Sequence, residues 1–308
     1  MELIKPKVII GKYVECNNFY SNSEIININF IKKLKYHINF ITICPEIEQK
    51  LEIPRETILT TKEQKYFASL CQSNTNQLLQ NKINKYLYEF LNKLIIIDGF
   101  ILKFKSLRNE ISSTKKNYNI KINNASNGGI EDFNKNIINF FPFHPKQKEI
   151  FFNNQSNREH FYTSIFTLAD FRSVNSFNNL YSFQARHKLL FMTYNQTKMR
   201  ALGKIAANYD GLEFNEVILD YYINLLQMFS NKPSHVSHIN TQMHAFGYYS
   251  KGLTKEEKNN FFQLLSEYRN KLISINKINN LIEYWNKIYD NEYLSKQSYF
   301  KPYPNTLI

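Results

Sequence analysis

Residues 40–46, FITICPE, join a short apolar run to a cysteine, a turn-forming proline and a carboxylate. Cys44 can ligate a metal and Glu46 can transfer a proton, and both follow directly after a predicted strand. Active sites in α/β folds form at such strand ends. A lone cysteine does not make a metal site, and the chain has only two others, Cys16 and Cys71. The partners of Cys44 therefore decide which chemistry this segment can perform.

The elements that would position these residues form an α/β pattern in the first part of the chain. Isoleucine-rich apolar runs are typical of buried parallel strands, and segments with helical periodicity lie between them. This alternation predicts an α/β N-terminal domain with a mainly parallel sheet. The predicted strands are 7–11, 38–44 and 94–104, and the predicted helices are 27–36 and 63–93.

The sequence of the remainder of the chain predicts an arm followed by helices. Residues 112–139 are rich in Asn, Ser and Lys, and Pro142 and Pro145 follow them. We predict an arm and linker over 112–154. A capping-box sequence begins at Ser156, with Glu159 three residues later, and predicts a helix start. We therefore divide the chain into an α/β domain over 1–111, the arm, and an all-α helical domain over 155–308. The helices expected after the first are 177–208, 213–229, 233–249, 254–273 and 275–290.

The charge of the chain favours a polyanionic partner. Lys and Arg number 39 against 26 Asp and Glu, a formal net charge of +13. Such a balance indicates RNA or DNA before a membrane surface, although a compositional bias toward lysine, asparagine and isoleucine accounts for it equally well. The sparse cysteines and the lack of a long apolar run predict a cytoplasmic protein without a membrane partner. The oligomeric state is left open.

Longer motifs identify two family resemblances. In the second half, REHFYTSIFTLADFRSV, RHKLLFMTYNQ, NTQMHAFGYY and DNEYLSKQSYFKPYP resemble the YbgA-like domain in order, over about residues 155–305. In the first half, KPKVIIGKYVE, ICPEIEQKLEIPRETI and DGFILKFKS resemble the thiouracil desulfurase (TudS-like) domain. The combination resembles RudS-type proteins, which remove sulfur from 4-thiouridine in tRNA. The resemblance implies a 4Fe-4S cluster held by three cysteines, with the fourth iron open to the substrate sulfur.

Only one of the three implied cluster ligands is present. The first ligand position is Tyr13, the second is Cys44, and the third is Asn109. A phenol and an amide do not replace thiolates on an iron–sulfur cluster. Glu46 and Ser106 persist from the family pattern, and we expect them to be vestigial together with Cys44. We therefore expect no cofactor and a pseudo-enzyme.

Two alternatives stay open. A shift in loop register would bring Cys16 beside Cys44 as a ligand and give an active thiouracil or 4-thiouridine desulfidase with a rearranged cluster. Cys71 fits a buried small hydrophobe better than a ligand. If the charge is only compositional bias, the chain is instead a protein-interaction module.

The function that we expect is RNA binding without catalysis, with tRNA as the RNA. The helical domain retains its family pattern, and its cations are candidate phosphate contacts. His187 lies on the apolar face of its helix, so we expect a half-buried, hydrogen-bonded histidine. His235, His238 and His244 are only a weak metal signal. The candidate nucleic-acid contacts are Arg158, Arg172, Arg186, Lys188, Lys198 and Arg200.

Overall fold

The computed structural model describes residues 3–11, 33–43, 89, 96–102, 137–148 and 152–307. Contacts divide the chain into two compact units. One unit comprises Lys5–Phe161, and the other comprises Met1–Ile4 with Tyr162–Ile308. The first is the α/β unit and the second is the helical unit, as the sequence predicts. The limits of the predicted domains and arm stay a prediction.

A four-stranded parallel sheet forms the described centre of the α/β unit. Its strands are β1 (Lys7–Gly11), β2 (Asn39–Ile43), β3 (Gly99–Leu102) and β4 (Lys146–Lys148). The strand order is β2-β1-β3-β4, and every neighbouring pair is parallel. The predicted parallel sheet is confirmed. Because β1 lies between β2 and β3, the chain moves to opposite sides of β1, which creates a topological switch point at its carboxyl end.

Buried isoleucine and phenylalanine side chains explain why these segments form strands. Ile9, Ile10 and Phe100 are at most 1% exposed, as expected for strands covered on both faces. The buried Asp98 ties the starts of β1 and β3 together. Its carboxylate accepts a hydrogen bond of 2.6 Å from the amide of Lys7, and its own amide donates to the carbonyl of Lys7 at 2.9 Å.

The fourth strand lies inside the segment that the sequence assigns to the arm. Lys146 donates to the carbonyls of Phe141, Pro142 and His144. The ring of Phe141 packs on Phe100 with centroids 5.0 Å apart. Burial lowers the pKa of Lys146 to about 8. The strand sequence, KQK, carries no apolar pattern because its ordering comes from these contacts, so sequence periodicity cannot reveal it.

Eight α-helices follow in the described part of the chain. The predicted segment 177–208 contains two of them, since Asn195 is extended and its side chain accepts from the amide of Lys198 to start the second. The helices predicted after residue 208 agree with the structure to within a few residues. Of the helices predicted at 27–36 and 63–93, all but residues 33–36 and 89 lie outside the described residues. The helices are α1 (Gln155–Phe171), α2 (Phe177–Tyr194), α3 (Gln196–Ala207), α4 (Phe214–Met228), α5 (His235–Gly247), α6 (Lys255–Arg269), α7 (Ile275–Tyr289) and α8 (Glu292–Ser295), followed by the 3-10 turn Asn305–Leu307.

Side-chain caps account for several helix starts. Thr254 accepts from the amide of Glu257, whose carboxylate accepts in return from the Thr254 amide. The predicted capping box at Ser156 is wrong. The side chain of Asn154 accepts from the amide of Asn157 at 3.0 Å. Asn is as good a cap as Ser, so the helix begins two residues earlier than the motif indicates.

The helical unit is held together by a large aromatic core. Trp285 is fully buried, and it lies among Phe246, Tyr249 and Phe261 with ring centroids 5.7 to 6.2 Å away. Aromatic residues contribute the most buried area per side chain, so this cluster dominates the stability of the unit. Of the helices in the described ranges, none is both long enough and apolar enough to cross a membrane.

Candidate nucleic-acid interface

The strands that precede the predicted desulfurase positions in sequence all end at one edge of the sheet. Strands β1, β2 and β3 are parallel, so Gly11, Ile43 and Leu102 all end at the same edge of the sheet. The residues expected at this edge, Tyr13, Cys16, Cys44, Glu46, Ser106 and Asn109, lie outside the described residues. As a donor set, the three family positions supply one thiolate, one phenol and one amide, and these donors do not fit an iron–sulfur cluster.

Arg186 is engaged in an internal ion pair. Its Nη2 lies 2.6 Å from Oδ2 of Asp170, and the two side chains are 23% and 19% exposed. The same carboxylate oxygen lies 3.5 Å from Nε2 of His187. Asp170 is thus shared between two neighbouring residues of α2. A cation held in this way has less freedom to contact phosphate than the sequence prediction assumes.

His187 is a structural histidine, as the sequence predicts. It is 3% exposed, and its Nδ1 lies 3.0 Å from the carbonyl of Phe183. Its ring stacks on the ring of Phe183 with centroids 4.2 Å apart. Burial lowers the pKa of His187 to about 4, although the charge of Asp170 acts in the opposite direction. The imidazole is therefore neutral at neutral pH and offers no charge to a ligand.

Two further residues that the sequence predicts to contact nucleic acid form hydrogen bonds within the protein. Arg158, in the first turn of α1, donates to the carbonyl of Phe152 at 2.5 Å. The ammonium of Lys198 donates to Oε1 of Gln227 at 3.1 Å. Arg172 follows the end of α1 and is partly buried. These side chains contribute positive potential, but the structure does not bring them together at one place.

Lys188 and Arg200 are brought together. Both are exposed, and both line an open groove of about 600 Å³ between α2, α3 and α8. Tyr181 and Tyr293 line the same groove, whose other lining residues include the small Gly203. Of the groove-lining side chains in the described part of the chain, none is acidic. This combination of two cations, two aromatic rings and no carboxylate is typical of a surface that binds nucleic acid.

Helical spacing explains how the groove forms. Tyr181, Gln184, Ala185 and Lys188 are separated by three or four residues, so they share one face of α2. Gln184 lies where α2 packs against α3. Its Nε2 donates to the carbonyl of Met199 at 3.4 Å, and its Oε1 accepts from the hydroxyl of Tyr221 at 2.5 Å. The amide is fixed, and the floor of the groove is therefore rigid.

The wall at α8 is positioned by hydrogen bonds to α2. Gln297 accepts from the amide of Leu189 at 3.1 Å and donates to the carbonyl of Ala185 at 2.8 Å. Because Gln297 follows α8 directly, these bonds hold Tyr293 beside the groove. Sequence reasoning missed Tyr181 and Tyr293 as site residues. Tyr293 lies more than 80 residues beyond the end of α3, and no local pattern connects the two segments.

Two of the three histidines of the weak metal signal, His235 and His238, pack against the ring of Tyr268. Nδ1 of His238 lies 3.0 Å from the hydroxyl of Tyr299. Burial, with a smaller effect of the His235 charge, lowers the pKa of His238 to about 4. The ring of His235 stacks on Tyr268, and His244 is exposed. These contacts account for the histidines as packing and hydrogen-bonding residues.

Comparison with protein families confirms both resemblances. Residues 14–139 match the family model described as 2-thiouracil desulfurase. Cys44 and Asn109 lie inside this match, and Tyr13 immediately precedes it. Residues 188–304 match a model described as a protein of unknown function, DUF1722. The chain thus combines a desulfurase-like region with a DUF1722 region, and the first match includes most of the segment predicted as an arm.

The chain is also similar to an individual bacterial protein. The chain is 23% identical over 129 residues to the uncharacterized protein YbgA of Escherichia coli (strain K12), which covers 42% of this chain and 76% of that protein. No solved structure matches the chain.

Proposed function

We propose that this protein binds RNA, with tRNA as the expected class, through the groove-lining cations Lys188 and Arg200, and that it no longer removes sulfur. The observation that carries the proposal is the groove itself. Two exposed cations and two aromatic rings line it, and none of its lining residues in the described ranges carries a carboxylate. Cations that contact phosphate release counterions, so they supply affinity independent of base sequence.

The family relation supports tRNA as the class of RNA. The desulfurase-like region resembles proteins that act on 4-thiouridine in tRNA, and it adjoins the DUF1722 region in the same chain. A protein that has lost its catalytic ligands retains any RNA affinity that resides elsewhere. The helical unit, with its groove, is a region where such affinity can persist.

The absence of catalysis is proposed from the donor set. Tyr13 and Asn109 occupy two of the three positions where the family has cysteines. A cluster with an open iron requires three thiolates from the protein. Glu46 and Ser106 have no cluster-bound sulfur on which to act. On this proposal the α/β unit is retained as a scaffold or as a second contact surface for the RNA.

The test is a salt titration of tRNA binding by the full chain. The variant Lys188→Ala with Arg200→Ala removes both groove cations. If both contact phosphate, the slope of log affinity against log salt falls by about 2. A matched control, Lys255→Ala with Arg269→Ala, removes the same two residue types from exposed positions on α6 and is expected to retain the wild-type slope.

Two outcomes would refute the proposal. One is the absence of saturable tRNA binding by the wild-type chain at low salt. The other is an equal reduction of slope in the groove variant and in the α6 control. The groove cations would then contribute no more to RNA binding than other exposed cations do.

A further inference from the structure

The groove has two chemically different ends. From the crossing at Gln184, α2 leads in one direction to Tyr181 and in the other to Lys188. On α3, Arg200 precedes Gly203, and the alanines 206 and 207 follow it. Because α3 begins two residues after α2 ends, the two helices run back along each other. The cations therefore lie toward the connection between the helices, and Tyr181 lies toward the opposite end.

The aromatic end offers a ring surface to a ligand. Tyr181 is 45% exposed although it is a large apolar side chain, and its ring stacks only distantly on Phe177, with centroids 6.4 Å apart. The other aromatic wall is more firmly held, since Tyr293 stacks on Tyr248 at 5.2 Å. One tyrosine is thus fixed, and the other has a ring exposed beside the groove.

The separation of the two ends matches an extended nucleotide. Tyr181 and Lys188 are seven residues apart on one helix, which corresponds to about 10 Å along the helix axis. Long side chains shorten the distance between ring and ammonium. A base lies closer than this to its own phosphate, so the side chains of Tyr181 and Lys188 must lean toward each other to contact both. A paired base in a duplex does not expose its face to a protein ring.

We propose that this groove binds one unpaired nucleotide of the RNA, with its base against Tyr181 and its phosphate between Lys188 and Arg200. This inference rests on the proposed function and specifies it. The helical unit would recognise a single-stranded segment, such as a loop or an end, in preference to a duplex. Stacking on an aromatic ring tolerates any base, so the preference is for single-strandedness and not for a base sequence.

The floor of the groove provides a steric test that leaves every charge in place. A Cβ added at Gly203 would lie 3.5 Å from Nε2 of Gln184, an ordinary van der Waals contact. Gly203→Ala is therefore tolerated, and it raises helix propensity. Gly203→Met places a long side chain in the groove and should exclude a base without altering the electrostatic field.

The experiment measures binding of the full chain to two probes: a short single-stranded RNA carrying 2-aminopurine, and a blunt RNA duplex of the same sequence. Tyr181→Ala and Gly203→Met should each weaken single-strand binding about tenfold, the loss expected for one stacked base. Tyr181→Phe and Gly203→Ala should retain it. Quenching of 2-aminopurine should accompany binding to the wild type and disappear in the two weakened variants. Tyr284→Ala, which removes an exposed tyrosine from α7, is the matched control.

Different results would refute the nucleotide pocket and the RNA binding on which it rests. If Tyr181→Ala and Gly203→Met bind the single strand like wild type while Lys188→Ala with Arg200→Ala still binds weakly, the nucleotide pocket is refuted and RNA binding stands. Equal affinity of the wild type for duplex and single strand also refutes the pocket. If neither probe binds the wild type, RNA binding itself is refuted. Thermal unfolding of each variant shows whether a loss of RNA affinity comes from misfolding. If a variant misfolds, the affinities of Tyr181→Phe and Gly203→Ala are compared with that of the wild type instead.

Discussion

The α/β unit and the helical unit of this chain differ in what each retains. In the α/β unit the parallel sheet is formed and its core is buried, yet the family resemblance implies that Tyr13 and Asn109 replace two of the thiolates that a desulfurase requires. In the helical unit the core is also intact, and Lys188 and Arg200 still converge on one groove. A fold depends on many buried contacts, whereas a catalytic site depends on a few side chains. The loss of desulfurase chemistry that we propose therefore requires only two substitutions, and it leaves the scaffold unchanged.

The largest effect expected from this difference is the presence or absence of bound iron. Wild-type protein, reconstituted anaerobically with iron and sulfide, should hold no stoichiometric 4Fe-4S cluster because it lacks two of three thiolates. The variant Tyr13→Cys with Asn109→Cys restores the donor set and should gain iron and acid-labile sulfide. Metal analysis and the visible absorption spectrum are the measurements. A stoichiometric cluster in the wild type that disappears in Cys44→Ser would contradict this account of the α/β unit.

The next largest effect concerns the core of the helical unit. Trp285→Ala should lower the free energy of unfolding by about 3–5 kcal/mol, since it empties the centre of the aromatic cluster. Trp285→Phe should cost about 1.5 kcal/mol or less. Nε1 of Trp285 has no hydrogen-bond partner among the described residues, so the smaller ring removes a buried donor along with some contact area. Denaturant unfolding followed by circular dichroism measures both, and equal losses would show that ring packing is not the main contribution.

Acid should destabilise the helical unit through its buried histidines. The pKa values of His187 and His238 are lowered from 6.5 to about 4 in the folded protein. Between pH 6.5 and about pH 4, the histidines of the unfolded chain bind more protons than those of the folded chain. Stability is therefore complete above about pH 6.5 and falls as the pH drops toward 4, by on the order of 3 kcal/mol for each histidine.

The variant His187→Met tests this pH dependence without relying on absolute stability. The difference in unfolding free energy between pH 7.5 and pH 4.5 should shrink relative to wild type, because one of the titrating groups is gone. Urea unfolding at the two pH values is the measurement. If wild type and variant lose the same free energy on acidification, then His187 is not held neutral by burial.

The smallest expected effect belongs to a helix cap. Thr254→Ala removes the side-chain oxygen that accepts from the amide of Glu257 at 3.2 Å. The free energy of unfolding should fall by about 1 kcal/mol. Thr254→Ser retains the oxygen and should stay within a few tenths of a kcal/mol of wild type. Thermal unfolding compares the two, and an equal loss in Thr254→Ser would assign the effect to the methyl group.

Local patterns explain why much of the fold could be predicted from sequence. Apolar spacing of three and four residues defines the buried faces of the helices, and strand β1 agrees with its predicted range because its apolar run is continuous. Periodicity is a local property, so sequence reasoning captures it well. The one predicted cap, at Ser156, is wrong because the neighbouring Asn154 competes for the same role.

The features that sequence reasoning missed depend on distant contacts. Strand β4 is ordered by pairing with β3, which begins almost 50 residues earlier in the chain. The ion pair of Arg186 with Asp170, sixteen residues away and on the preceding helix, was not foreseen. Tyr293 lies beside the groove, in a segment that Gln297 hydrogen-bonds to α2. In each case the deciding partner is remote in sequence, and no local pattern encodes it.

The central claim is that the function resides in the groove of the helical unit and not at the former desulfurase edge. The most direct test is the tRNA affinity of three full-length chains: wild type, Lys188→Ala with Arg200→Ala, and Cys44→Ser. The account predicts that the groove variant binds about tenfold more weakly, as expected for two lost charged contacts, while Cys44→Ser binds like wild type. Loss of affinity in Cys44→Ser together with unchanged binding by the groove variant would contradict it.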